Sequence, residues 1–185
     1  MLPRRLLCLS LLLASSLVLA EKPEESDIKR WMSTDAEKMP PPVEESFDMP
    51  DLASLKEWRI YDAGKQMGTN RIEIAVDSIS IGKEDRIMRY SIAVVAKTGL
   101  RNVFFEGLDC FSSRYRNYAW GNPDLTWRKT DTVIWRIPHD SVRNTWQFAM
   151  IDDFCGDAGP YSLKTIVNSL KDGKLPPRER AENQK

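Results

Sequence analysis

The side chains in this sequence with the greatest capacity for recognition chemistry are aromatic and basic. Trp120, Trp127 and Trp135 crowd around Tyr115 and Tyr118, with Arg114 and Arg116 nearby. All six Trp of the chain lie beyond residue 20. Trp and Tyr bring large rigid area with a polar handle, so they recur at binding surfaces, where an Arg rim accepts a carboxylate or a glycan. A small sheet also uses such rings as core. Both readings stand for Arg114, Tyr115, Arg116, Tyr118, Trp120 and Trp127, which form the candidate binding surface.

Catalytic constellations are scarce. The single His, His139, follows Pro138 and precedes Asp140 in what reads as a turn, and no Gly-x-Ser-x-Gly accompanies it as a Ser-His-Asp hydrolase would require. Zinc sites draw on several His or Cys, which the chain lacks. Asp152, Asp153 and Asp157 offer oxygen ligands, but without helix-loop-helix calcium spacing they read as a solvated helix end. Gly64 and Gly68 are followed by no Gly-Lys-Ser or Gly-Lys-Thr, so no phosphate loop is present. Two carboxylates suffice for glycoside hydrolysis, and Glu106 with Asp109 or Asp131 are the formal candidates. A buried Arg89–Glu106 pair explains Glu106 without catalysis. No catalytic, metal-binding or cofactor-binding residue is therefore named, and no cofactor is implied.

The N-terminus carries an address. Arg4 and Arg5 precede an apolar run from Leu6 to Leu19, which ends in Val18-Leu19-Ala20 before Glu21. That is the grammar of a removable secretion signal over residues 1–20, cleaved between Ala20 and Glu21. The apolar run is short of the roughly 20 residues that cross a bilayer, so no transmembrane anchor is expected after cleavage. Cys8 lies inside the apolar run, not at the cleavage point where lipid attachment needs it. The expected location is the periplasm, with secretion beyond it left open. The chain has 27 basic and 27 acidic residues, and losing Arg4 and Arg5 leaves a small acidic excess. Such a balance gives no basic face for nucleic acid or anionic lipid.

Cys110 and Cys155 survive cleavage, 45 residues apart, and read as a structural disulfide in an oxidising compartment. A loop of that size stabilises by about 4 kcal/mol in the chain-entropy model. A redox pair would show Cys-x-x-Cys spacing.

The elements that must position these residues follow from periodicity. Residues 21–52, rich in Pro and Glu and including Pro40-Pro41-Pro42, read as a linker; 53–172 form a single domain; 173–185 form a disordered polar tail. Ile72, Ile74 and Val76 alternate, then Ile79 and Ile81 resume on the other parity, which predicts a bulge near Asp77-Ser78. A strand with Met88, Tyr90, Ile92, Val94 and Ala96 on one face follows, and Thr98-Gly99 turns the chain. A two-residue turn there sets Val94 opposite Val103 and Ile92 opposite Phe105, and puts Arg89 and Glu106 on the same face as diagonal neighbours. Residues 114–121 read as a strand, Asn122-Pro123-Asp124 as a turn and residues 132–137 as a short strand. Helical spacing covers Ser141 to Phe154, and a second helix starts near Pro160 and stops before Gly173. The fold class is α+β: an antiparallel sheet of hairpins followed by two C-terminal helices, with one disulfide.

Several short motifs occur in a recognisable order: Val76-Asp77-Ser78-Ile79-Ser80-Ile81, Arg89-Tyr90-Ser91, Gly99 with Asn102, Phe105-Glu106-Gly107 with Cys110, Tyr118-Ala119-Trp120-Gly121, Trp127 and Cys155. Together they resemble the cryptic neisserial protein-like family, small secreted proteins of Gram-negative bacteria, over most of residues 55 to 156. The resemblance implies an exported address and carries over no catalytic residue. The expectation is a non-enzymatic envelope module that binds a protein, peptide or glycan through the aromatic and Arg-lined surface. The alternatives are a small two-carboxylate hydrolase acting on envelope carbohydrate and a purely structural role.

Overall fold

Alternating apolar side chains carry the chain into an antiparallel meander. Strands β1 (Trp58–Tyr61), β2 (Arg71–Ile81), β3 (Met88–Val95), β4 (Arg101–Asp109), β5 (Arg114–Gly121) and β6 (Trp127–Lys129) lie side by side in sequence order. Helices α1 (Thr145–Phe154) and α2 (Leu163–Asp172) flank a small ribbon of β7 (Cys155–Gly156) and β8 (Gly159–Pro160). This is the expected α+β class. A computed structural model describes residues 40–64, 69–131, 134–138 and 145–174. The expected secretion signal with Ala20 and Glu21, residues 21–39 of the expected linker, His139 and the expected tail beyond residue 174 lie outside the described residues.

Both faces of the sheet are covered, so β3 is buried almost throughout. On one face Ile72, Ile74, Tyr90, Ile92, Leu108 and Tyr115 pack with Met150 and Phe154 of α1 and Ile166 and Leu170 of α2. On the other, Phe105, Tyr118 and Ala119 pack with Phe47, Met49 and Trp127. Residues 43–50, read from sequence as part of a linker, therefore cross the sheet as a packed strap. The linker reading fails there because Phe47 and two carboxylates find partners that an acidic, Pro-rich composition does not reveal.

The bulge lies where parity changes, between Ala75 and Ser80. Ser78 repairs the broken ladder: its hydroxyl donates to the Ala75 carbonyl at 2.7 Å and accepts the Ser91 amide at 2.7 Å. The β3–β4 turn differs from expectation. Ala96 and Leu100 bracket a three-residue loop, with Gly99 at φ +85°, a left-handed conformation that L side chains rarely adopt. The extra loop residue moves the register by one, so Ile92 faces Phe104, Tyr90 faces Glu106 and Arg89 faces Gly107. A one-residue slip exchanges the faces of a strand. Arg89 and Glu106 are both buried, but on opposite sides of the sheet, and the expected pair does not exist.

Other boundaries shift locally. Arg136 forms only an isolated bridge with Tyr115 in the described part of the expected 132–137 strand. Helix α2 starts not at Pro160, which belongs to β8, but after Ser162, whose hydroxyl accepts the Thr165 amide at 3.2 Å. The Cys110–Cys155 disulfide ties the end of β4 to the end of α1 across 45 residues. Replacing both cysteines with Ser should lower stability by about 2–4 kcal/mol in guanidinium unfolding. An unchanged midpoint would show that the loop is already constrained without the bond.

Candidate functional site

The strap is held by carboxylates at one end and an aromatic ring in the middle. Glu44 receives donors from several parts of the fold: the Arg116 guanidinium, Tyr118 Oη at 2.7 Å and Trp135 Nε1 at 3.2 Å. Arg89 Nη2 lies 3.7 Å from the same carboxylate. Glu45 accepts the amides of Lys83 at 3.1 Å and Glu84 at 2.7 Å in the β2–β3 turn. These amides hold its carboxyl below the usual range. The Phe47 ring lies 4.1 Å beneath the Arg89 guanidinium and 4.7 Å from the Tyr118 ring. The strap ends where the Pro50 carbonyl accepts Trp127 Nε1 at 2.7 Å.

Arg89 projects from β3 onto this face, 1% exposed, and Asp85 meets its Nη2 at 2.6 Å. Burial works to raise Asp85, but Arg89 and the Ile87 and Glu45 amides outweigh it, and its pKa falls. Burial likewise opposes the charge on Arg89, and the Asp85 hydrogen bond reverses the effect. Tyr118 reaches the site as the extra residue of a second bulge, on β5 opposite Phe105 and Glu106 of β4, which sets it over Gly107. A Cβ at Gly107 would stand 2.5 Å from Tyr118 Oη and 2.7 Å from Cε2. Burial, and then the Glu44 hydrogen bond, push the Tyr118 phenol well above its ordinary pKa, so it stays a donor.

Beside the strap opens a cleft of about 450 Å³ lined by Phe47, Asp48, Met49, Arg116, Tyr118, Lys129 and Thr130. The surface named from sequence is thus divided. Arg116, Tyr118 and the half-buried Trp127 belong to the strap face, whereas Tyr115 is buried beneath the helices. Arg114 is 5% exposed and donates to the Pro40 carbonyl at 3.3 Å. Trp120 alone keeps substantial exposure, at 36%, with the Arg128 guanidinium 5.2 Å from its ring centroid. Six residues cannot form one surface when strand alternation sends neighbours to opposite faces. Sequence reasoning missed Glu44, Glu45, Phe47, Lys129 and Thr130. The only signal for the first three is Glu-Glu-Ser-Phe inside an otherwise Pro-rich stretch.

The family model described as the CNP1-like family matches residues 37–171, which includes the strap as well as the sheet and both helices. The chain belongs to the CNP1-like family. No curated protein and no solved structure matches it.

The CNP1-like domain holds its second unusual group on the helix face. Glu106, 2% exposed, accepts Gln147 Nε2 at 2.9 Å, Tyr90 Oη at 3.0 Å and Trp146 Nε1 at 3.1 Å. Burial pushes its pKa up to about 7 against the pull of these donors, none of which carries a positive charge. Gln147 Oε1, on the same amide, is buried without a hydrogen-bond partner among the described residues.

The two-carboxylate arrangement does not assemble. Asp109 points to the opposite side of β4 from Glu106 and accepts the amides of Phe111 and Ser112 at 3.2 Å, while Asp131 is exposed. Asp153 is not a solvated helix-end residue: it is 3% exposed and accepts Tyr61 Oη at 2.8 Å. Among the described residues no three His, Cys, Asp or Glu converge as metal ligands, and no helix is long and apolar enough to cross a membrane.

Glu106 makes stability depend on pH. Its native pKa of about 7 exceeds the ordinary 4.5, so the native state retains a proton that the unfolded chain releases. Stability should therefore fall as pH rises through that window, by about 3 kcal/mol in all, and level off above it. Glu106→Gln should remove this slope in urea titrations across the window; a slope that persists in the variant would sink the assignment. Gly107→Ala should displace Tyr118 from Glu44 and cost about 1–3 kcal/mol, although alanine suits a strand better than glycine. Hydrogen exchange in the strap amides should accelerate, and unchanged exchange would refute the packing argument.

Proposed function

We propose that the protein is an exported, non-enzymatic binding module that takes a carboxylate-bearing envelope peptide or glycan in the cleft beside the strap. The observation that carries this reading is the composition of the cleft. Arg116, whose guanidinium lies 4.8 Å from the Tyr118 ring centroid, and the exposed Lys129 outnumber the one acid of the lining, Asp48, beside the side chains of Phe47, Met49 and Tyr118. Cations over rings are the chemistry that holds a planar acid or an acidic sugar, and about 450 Å³ suits one saccharide unit or a short side chain. The signal grammar of residues 1–20, with cleavage between Ala20 and Glu21, supports a periplasmic address, and the family resemblance read from sequence agrees with an exported Gram-negative protein. Glu106 supplies the raised-pKa acid that a hydrolase needs, but no second carboxylate faces it among the described residues. The binding reading is therefore the better supported one.

The test is titration of the mature protein with a panel of acidic sugars and short acidic peptides, followed by Trp fluorescence and calorimetry. Lys129 is exposed, so Lys129→Glu should leave the melting temperature unchanged while weakening saturable binding at least about fivefold. Equal binding by the variant, or no saturable binding anywhere in the panel, would remove the cleft as the site.

A further inference from the structure

Glu44 is a ligand that the chain supplies to itself. Two guanidinium groups, a phenol and an indole N–H converge on one carboxylate, the turn amides of residues 83 and 84 take a second, and Phe47 fills an aromatic seat. Among the described residues, no backbone-to-backbone hydrogen bond joins residues 43–50 to the sheet. The strap is held by its side chains, with main-chain help only where the Glu45 amide meets Asp85 and the Pro50 carbonyl meets Trp127. Any extended segment that presents the same groups at the same spacing would meet the same site.

The geometry points to a peptide groove occupied in cis: the strap is its resident, and an acidic, aromatic segment of a partner protein, with the pattern Glu-Glu-x-Phe, docks in its place. This inference rests on the binding-module reading and adds the class of partner. Charge complementarity selects that class. With the strap lifted, Arg89 keeps Asp85, but the only ion pair of Arg116 among the described residues is lost, and the amides of residues 83 and 84 lose their acceptor. The emptied groove is therefore cationic beside aromatic rings, and it disfavours basic or purely apolar segments. The cleft adjoining Phe47 and the 90% exposed Val43 leave open space at the strap, where an incoming segment can begin to pair.

The probe is a fluorescent synthetic peptide of residues 43–50, titrated by anisotropy into the mature chain and into the Glu44→Gln, Phe47→Ala double variant. The wild-type strap competes at the millimolar effective concentration of a short tether, so the double variant should bind at least about tenfold more tightly than wild type. A peptide carrying Glu44→Gln should lose at least about tenfold of that affinity. A folded double variant with no saturable binding, or with equal affinity for both peptides, overturns the proposal. If that variant does not fold, a protease site inserted between the exposed Ala53 and Ser54 allows the strap to be cut in the folded protein. Exchange of labelled peptide into the cut protein supports the groove, and its absence overturns it. Concentration-dependent dimers of the wild type that vanish on Phe47→Ala would overturn the partner in favour of strap exchange between copies. The Lys129→Glu variant separates the two readings, because Lys129 does not hold the strap: it should lose the small acids and keep the peptide.

Discussion

Arg89 has no route to water and cannot give up its proton, so its charge must be answered where it lies. That constraint organises one whole side of the molecule. Asp85 is folded back over β3 by the turn that follows β2, in which the Gly82 amide donates to the Ile87 carbonyl and Ile87 donates to Asp85 Oδ1, both at 3.0 Å. The turn admits the carboxylate because position 82 has no side chain: a Cβ there would lie 1.9 Å from Asp85 Oδ1. Glu45 closes over the same turn from above, and Phe47 supplies the ring under the guanidinium. Strand, turn and strap are thus parts of one arrangement for keeping a charge out of water.

Glu106 poses the mirror problem on the adjacent strand and meets it differently. A carboxylate can be neutralised by a proton, so three neutral donors and a raised pKa suffice where Arg89 requires an anion. The two faces consequently answer to different variables. On the strap face the Arg116–Glu44 pair, with each side chain 15% exposed, is weakened by salt more than the buried Arg89–Asp85 pair, whereas the Glu106 network is dry and responds to pH.

Period and punctuation made much of this fold legible in advance. The 76–79 parity change marked the bulge, the helical spacing marked both helices, and an even pair of cysteines marked the disulfide. The turn at Gly99 did not reveal its length, since a glycine signals the left-handed residue of two-residue and three-residue loops alike. That ambiguity alone misplaced Arg89 and Glu106 relative to each other. The candidate surface failed for a related reason: Trp and Tyr are equally at home in a core and on a surface, and only the bulge at Tyr118 and the strap decide which ring goes where. Glu44 and Phe47 were illegible because their partners lie more than forty residues away, and nothing local distinguishes a strap from a linker.

The two coverings of the sheet are also unequal in how they are fastened. The helix side is joined by a broad apolar cluster and by the Cys110–Cys155 bond. The strap side rests on one aromatic ring, a few charged contacts and two isolated main-chain bonds, without a backbone ladder of its own. Local opening free energies follow such differences, so the sheet should uncover from the strap side well before the domain unfolds. What it then presents is not symmetric: Asp85 still neutralises Arg89, but Arg116 is left without its counter-ion. A surface built first to hide one buried charge therefore becomes, when it opens, a seat that favours an anion.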